Sequence, residues 1–147
     1  MVSINLQFCT LPLKYKLRSM KTIIVATDFS PVSTNAMNFA TDMALAIDAS
    51  LLLFNAYNIP VSYSDVPIVL ISVEDLKKSS ESKLEELKKD ITHITSGKVK
   101  IATEARMGNT VDELEDLCNK VQPFAVVMGA RGASGIEEVI FGSTTLT

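Results

Sequence analysis

The 147-residue sequence predicts an α/β protein built on one open parallel sheet. Apolar, strand-like runs alternate regularly with amphipathic helical segments, and such βαβ repetition produces parallel strands with helices on both faces of the sheet. The last apolar run leads into a glycine-rich segment, and four of the six glycines lie in the final nineteen residues. With 47% hydrophobic residues, a chain of this length is most simply one domain around one core.

The first strand is predicted over residues 22–27, a run rich in β-branched residues. Ser30 then suits the N-cap of a helix, and Pro31 suits its first position, where the missing N–H of proline costs no hydrogen bond. Apolar residues follow at helical spacing and predict the buried face of this helix: Val32, Ala36, Phe39, Ala40, Met43, Ala44 and Ile47. Asp28 therefore lies at the carboxyl end of a strand and before a helix, where open parallel sheets bind ligands.

The second strand is predicted over residues 50–57, and the second helix begins after Ser72, which suits its N-cap. The acidic side chains of Glu74 and Asp75 in its first turn match the positive end of the helix. Four apolar residues form a stripe that we expect to pack on the sheet: Leu84, Leu87, Ile91 and Ile94.

The third strand is predicted at an edge of the sheet, because Val99 and Ile101 alternate with lysines. Thr110 and Glu113 have the spacing of a capping box and predict the start of the third helix. Cys118 lies on the apolar face of that helix, which indicates core packing. The fourth strand is predicted to follow Pro123.

Composition argues against several classes of function. The formal net charge is −3, and because residues 1–21 carry four basic residues and no acidic one, residues 22–147 form an acidic body without a basic stripe, a poor nucleic-acid binder. No apolar run reaches 18 residues, so no transmembrane helix is expected. Cys9 and Cys118 are too few for a disulfide framework or a metal cluster. His93, the only histidine, is predicted on the surface, which argues against histidine catalysis or a zinc site.

The glycine-rich segment has the character of a phosphate-binding loop. Its spacing is Gly129-x2-Gly132-x9-Gly142-Ser143, directly after the fourth strand. Glycines let the backbone approach an anion, and free amides at a helix start favour it. The spacing is neither the dinucleotide GxGxxG nor the P-loop, since no lysine precedes the hydroxyl residue. A turn that needs glycine only for its geometry is the alternative.

This spacing resembles the ATP-binding loop of the universal stress protein family. The segment from Lys21 to Ser30, a strand followed by Asp28 and a helix-opening serine, resembles the start of the same family. The resemblance runs over residues 20–147. It implies a Rossmann-like sheet of the adenine nucleotide alpha hydrolase type, with strand order 3-2-1-4-5. Asp28 and the loop would then face each other across a crevice between strands 1 and 4.

The resemblance implies a cytoplasmic regulatory protein of stress responses that binds ATP. Asp28 would contact the adenine–ribose end, with backbone groups of Ala26 or Thr27, and Ala56 would lie near the base. An aspartate before a helix often serves only as a cap, although here Ser30 already suits that role.

The glycine loop would hold the phosphates. The resemblance implies that Gly129 and Gly132 let the backbone pass the ribose and first phosphates, while Gly142, Ser143 and Thr144 donate to the β- and γ-phosphates. Arg131 would steer phosphate or remain a solvated surface residue. Magnesium would be held mainly by the phosphates and water. No residue offers itself as a general base, so we expect hydrolysis to be slow at most.

Residues 1–19 match nothing in the family and are interpreted as an extension. The domain over 20–147 is expected to be incomplete, because family members continue through a fourth helix and a fifth strand. A homo-oligomer or a tandem second domain is the expected partner arrangement. Two alternatives remain: a nucleotide-free dimeric scaffold of the same fold, and an adenylating enzyme of related architecture. Such enzymes typically carry an SGGxDS-type loop, which differs from the residues at 26–31 here.

Overall fold

The computed structural model describes residues 21–58 and 72–129 of the chain. Strands and helices alternate through these residues, in the order β1 (Thr22–Ala26), α1 (Pro31–Ile47), β2 (Ser50–Tyr57), α2 (Val73–Ile94), β3 (Ile101–Met107), α3 (Thr110–Val121) and β4 (Ala125–Met128). None of these helices is long and apolar enough to cross a membrane.

The four strands form one parallel sheet in the order β3-β2-β1-β4, which confirms the predicted fold class and the order of these strands. In the register of the sheet, Ala26 at the end of β1 lies beside Phe54 of β2 and Met128 of β4. β2 continues past β1 to Tyr57, which pairs with Met107 of β3. The carboxyl ends of all four strands therefore meet at one edge, and β1 ends before β2.

Helices cover both faces of the sheet, as the sequence predicted. Ile23 and Val25 of β1 point to the face that α1 and α2 cover, where they join buried residues of both helices. Ile24 and Ala26 point to the opposite face and pack with Leu114 and Leu117 of α3. This alternation follows from the two-residue period of a strand. β1 is thus buried on both sides, which explains its nearly continuous apolar sequence.

The buried face of α1 agrees with the predicted one at five of seven positions: Ala40 and Ala44 are buried, and Ala36, Met43 and Ile47 pack against the core. Val32 and Phe39 are 40% and 52% exposed, whereas the helix buries Ser33, Met37, Ala40, Thr41 and Ala44. The two hydroxyl residues tolerate burial because each donates to a carbonyl of the preceding turn: Ser33 to Ser30 at 2.9 Å and Thr41 to Met37 at 2.8 Å. Hydrophobic spacing therefore located most of the buried face but missed Ser33, Met37 and Thr41.

The predicted apolar stripe on α2 is confirmed except at its last residue. Ser72 is the N-cap, as predicted, and accepts from the backbone N–H of Asp75. Leu84 and Ile91 are buried, but Ile94 is 72% exposed. Ile94 lies at the rim of a shallow groove between α1 and α2 rather than against the sheet.

β3 lies at an edge of the described sheet, as predicted, but it begins at Ile101, so residues 98–100 of the predicted alternation precede it. Val99 is buried without belonging to the strand. Within β3, Arg106 holds Asp116 of α3 at 2.6 Å. Lys120 and Arg106 together hold the pKa of Asp116 below its ordinary value. Ile101 and Ala105 of this strand pack against the core, while Glu104 and Arg106 form charged contacts at the edge.

The start of α3 corrects another prediction. Asn109 is the N-cap, because its side chain accepts from the backbone N–H groups of Val111 and Asp112, and Thr110 is the first helical residue. Cys118 packs against the α3-side core, as predicted, and burial raises the pKa of its thiol.

Ile91 and Ile94 provide a matched pair that tests this packing. We expect Ile91→Ala to lower the free energy of unfolding by about 2–5 kcal/mol, because it leaves a cavity between α2 and the sheet. Ile94→Ala should change it by less than about 0.5 kcal/mol, since Ile94 is exposed. Urea denaturation followed by circular dichroism measures both, and equal losses would contradict the packing described for α2.

Candidate functional site

The candidate site lies where the sheet changes the direction of its connections. The chain leaves β1 for α1 on one face and reaches β4 from α3 on the other. At such a switch point the connections diverge and open a crevice beyond the carboxyl ends of the two strands. Five of the residues predicted for the site lie at or next to this edge: Ala26, Thr27, Asp28, Ala56 and Gly129. The other five lie outside the described residues: Arg131, Gly132, Gly142, Ser143 and Thr144.

A hydrogen-bonded turn carries the chain from β1 into α1. The hydroxyl of Thr27 accepts from the N–H of Phe29 at 3.0 Å, and Oδ1 of Asp28 accepts from the N–H of Ser30 at 3.0 Å. Ser30, the predicted N-cap, then accepts from the N–H of Ser33 at 3.3 Å. Asp28 thus shapes the turn before the helix while Ser30 caps it. This structural role is compatible with ligand contact.

Phe29 adopts a backbone conformation that is unusual for a bulky side chain. Its φ of 63° lies in the left-handed region, which costs free energy outside glycine, asparagine and aspartate. The hydrogen bonds on either side of Phe29 hold it there, and its ring packs against the α1/α2-side core. The ammonium of Lys83 on α2 lies 5.2 Å from the ring centroid. No local sequence signal predicts this strained turn or the contact with Lys83.

Buried polar side chains form a series of hydrogen bonds that supports the turn. Nδ2 of Asn55 donates to the carbonyl of Thr27 at 2.7 Å, and the hydroxyl of Ser80 donates to Oδ1 of Asn55 at 2.7 Å. The hydroxyls of Thr27 and Ser33 lie 3.0 Å apart and share a hydrogen bond. All four side chains belong to buried residues. The sequence carries one signal for these buried polar groups, since Asn55 interrupts an otherwise apolar strand.

Gly129 has a packing role that does not depend on a ligand. A Cβ at this position would lie 3.0 Å from Cγ1 of Val32 and 3.2 Å from the backbone nitrogen of Ser33. β4 thus ends in close contact with the first turn of α1. At this one glycine, the interpretation that glycine serves the geometry of the turn has direct support.

Backbone groups of β2 face the crevice where β1 has ended. The N–H of Thr27 donates to the carbonyl of Phe54 at 2.9 Å, so the backbone groups of Phe54 point toward β1. Directions alternate along a strand, and Ala56 therefore points its N–H and carbonyl to the same side, beyond the last residue of β1. The turn at Asp28 and the end of β4 complete the described walls.

The electrostatics of the crevice suit an anionic ligand next to α1. The first turn of α1 carries no acidic residue, whereas α2 has Glu74 and Asp75 there and α3 has Asp112 and Glu113. Carboxylates in the first turn of a helix offset the partial positive charge of that end. Among the described helices, α1 is the one with no such carboxylate in its own first turn. Asp28, just before it, supplies a carboxylate acceptor for hydroxyl groups.

Glu85 and Asp116, whose pKa values are lowered, lie outside the crevice. The hydroxyl of Thr103 on β3 and the ammonium of Lys88 lower the pKa of Glu85 on α2. Like Asp116, Glu85 thus belongs to the packing around the edge strand and not to the crevice. His93 is exposed in the last turn of α2, near the amino ends of the strands, as the sequence predicted.

A groove of about 240 Å³ lies at the opposite edge, among the amino ends of the strands. Thr22, Ser50 and Ile101 are among its lining residues. Its lining is mostly apolar and it has neither a switch point nor a strained turn. Among the described residues, it is a competing place for a ligand.

Comparisons with known proteins agree with this architecture. A sequence model described as the Universal stress protein family matches residues 20–147. Universal stress protein MJ0531 of Methanocaldococcus jannaschii is 32% identical over 128 residues, which are 84% of this chain and 72% of that protein.

Solved structures extend the similarity to the fold. The universal stress protein UspA from Lactobacillus plantarum superimposes with a TM-score of 0.63 at 21% identity, over 85% of this chain and 87% of that one. A universal stress protein crystallised in complex with cAMP is 26% identical, with a TM-score of 0.59 over 84% of this chain and 85% of that one. The match of the family model and the relationship to MJ0531 confirm the predicted family: the chain belongs to the universal stress protein family.

Proposed function

We propose that this protein binds ATP in the crevice between the carboxyl ends of β1 and β4 and acts as a regulatory component of stress responses. One observation carries the proposal: the Asp28 turn, the start of α1 and the end of β4 at Gly129 converge at the switch point of the sheet. Ligands of open α/β sheets bind at this place.

The base end of the nucleotide is assigned to the gap beyond β1. Adenine offers an amino donor and ring-nitrogen acceptors on its edges, which a backbone carbonyl and N–H can satisfy together. The backbone of Ala56 points such a pair past the end of β1, beside Ala26 and Thr27. The carboxylate of Asp28 is then assigned to the ribose hydroxyls.

The phosphate end is assigned to the segment that follows Gly129. The proposed donors are the backbone of Gly132 and Gly142 and the hydroxyls and amides of Ser143 and Thr144, with Arg131 steering the anion. The first turn of α1 carries no acidic residue of its own, and the positive end of a helix favours phosphate, which supports this direction. Bound magnesium would be held mainly by phosphate oxygens and water.

The neighbour crystallised with cAMP supports the adenine-nucleotide class of ligand. A cyclic monophosphate has no β- or γ-phosphate for Gly142, Ser143 and Thr144 to bind. The glycine spacing of this chain therefore favours ATP over cAMP. Competition between the two ligands tests that preference.

Isothermal titration calorimetry with the purified protein tests the proposal. We expect saturable ATP binding that Gly142→Val weakens by at least about tenfold, because a branched side chain would stand where the phosphates approach the backbone. Asp28→Ala should also weaken binding, whereas Asp28→Asn should bind better than Asp28→Ala because its Oδ1 can still accept from Ser30.

Gly129→Ala separates packing from ligand contact. We expect this variant to lose about 1–3 kcal/mol of stability through its contact with Val32 and Ser33, while Gly142→Val keeps the stability of the wild type. Equal ATP affinity in the wild type and Gly142→Val would overturn the phosphate-loop assignment. No binding of ATP by the wild type would favour the nucleotide-free scaffold.

ATP turnover by the isolated protein should be negligible or very slow. His93, the only histidine of the sequence, lies near the opposite edge of the sheet, and the described walls of the crevice hold one carboxylate and not a pair. A phosphate-release assay with saturating ATP measures the rate. Release at about 1–100 per second, as in kinases, would mean that a catalytic group acts in this crevice.

A further inference from the structure

We propose that Asn55 is a positioning residue that ends the β1–β2 ladder early and so keeps the backbone of Ala56 available to the base. The proposal rests on the proposed function for its ligand, but its structural part concerns the protein alone. It assigns a role to a buried amide whose hydrogen-bond partners are Thr27 and Ser80 and not the ligand itself.

The ladder between the two strands stops at a defined bond. Over residues 21–58, the last backbone hydrogen bond joining β1 and β2 runs from the N–H of Thr27 to the carbonyl of Phe54. In a parallel ladder that continued, the carbonyl of Thr27 would next accept from the N–H of Ala56. That bond would close the gap to which the adenine is assigned.

The side chain of Asn55 takes the place of that bond. Its Nδ2 donates to the carbonyl of Thr27 at 2.7 Å. A carbonyl can only accept, so the amide nitrogen must face Thr27 and the amide oxygen must face away. The hydroxyl of Ser80 on α2 donates to that oxygen at 2.7 Å and fixes the orientation.

Because these groups are buried, the loss of one of their hydrogen bonds would cost free energy. Thr27, Asn55 and Ser80 are 7%, 7% and 5% exposed, so water has little access to replace a lost bond. Because the carbonyl of Thr27 is satisfied by a side chain, β1 can turn away into the Asp28 turn without leaving an unpaired buried group. The N–H of Ala56 then stays at the crevice, where a ligand can accept from it.

Amide hydrogen exchange measured by NMR on the unliganded protein tests the structural part. In the wild type, we expect the amide of Ala56 to exchange at least about tenfold faster than that of Phe54, which lies within the ladder. Equal protection of the two amides would overturn the proposal. This comparison uses the wild type and does not depend on a variant that folds.

Asn55→Leu keeps the size of the side chain and removes its hydrogen bonds. We expect it to raise the protection of the Ala56 amide, whereas simple destabilisation would lower that protection. The carbonyl of Thr27 should then accept from Ala56, so the amide of Ala56 should become about tenfold more protected relative to Phe54. A purely structural role would lower protection at both amides or leave their ratio unchanged, and either result would contradict the proposal.

Thr95→Val is the matched control, because it also removes a buried hydroxyl bond, to the carbonyl of Ile91, but at the other end of α2. We expect its ratio of Ala56 to Phe54 protection to match the wild type. In calorimetry, Asn55→Leu should weaken ATP binding about tenfold and Thr95→Val less than twofold. If the wild type does not bind ATP, the proposed function fails, while the exchange ratios still decide the role of Asn55.

Discussion

The geometry of the crevice depends on how the polar groups of Thr27 are satisfied as the chain leaves β1. Its N–H remains in the sheet through Phe54, its carbonyl is held by Asn55, and its hydroxyl accepts from Phe29. A buried backbone group without a partner is costly, so a strand can leave a sheet in its interior only where such substitutes exist. The same hydroxyl also meets Ser33, which ties the turn to α1.

The helices on the two faces of the sheet open space for a ligand where β1 ends. α1 covers one face and α3 the other, so the connections on either side of β1 and β4 diverge and leave space at the strand ends. Gly129 allows the end of β4 to approach the first turn of α1, which brings the start of the glycine-rich segment next to the Asp28 turn. The strained φ of Phe29 is tolerated because hydrogen bonds on both sides fix it.

Sequence reasoning predicted the features that depend on local chemistry. The parallel sheet and the caps at Ser30 and Ser72 follow from period and capping, and the position of Asp28 follows from both. The order of the strands came from the family resemblance. The buried face of α1 was right at five of seven positions and wrong at Val32 and Phe39. Hydrophobic spacing also does not register hydroxyls, such as that of Thr41, that bond back to their own helix. The start of α3 was wrong by one residue because Asn109 is a strong cap directly before Thr110.

Other parts of the site depend on contacts between distant elements. The bond between Asn55 and Ser80 requires the packing of α2 on β2, and the contact of Lys83 with Phe29 requires the same placement. The close approach of Gly129 to Val32 depends on the pairing of β4 with β1. A single sequence contains the residues of these contacts but not the distances between them.

An NMR titration of the isotopically labelled protein with ATP tests the central claim most directly. Each backbone amide reports on its own surroundings, so the spectrum locates the ligand without any substitution. If ATP binds in the crevice, we expect saturable shifts at the amides of the Asp28 turn, Ala56 and Gly129, and none around the groove at Thr22, Ser50 and Ile101. Shifts confined to that groove, or their absence around Asp28 at saturating ATP, would contradict the central claim.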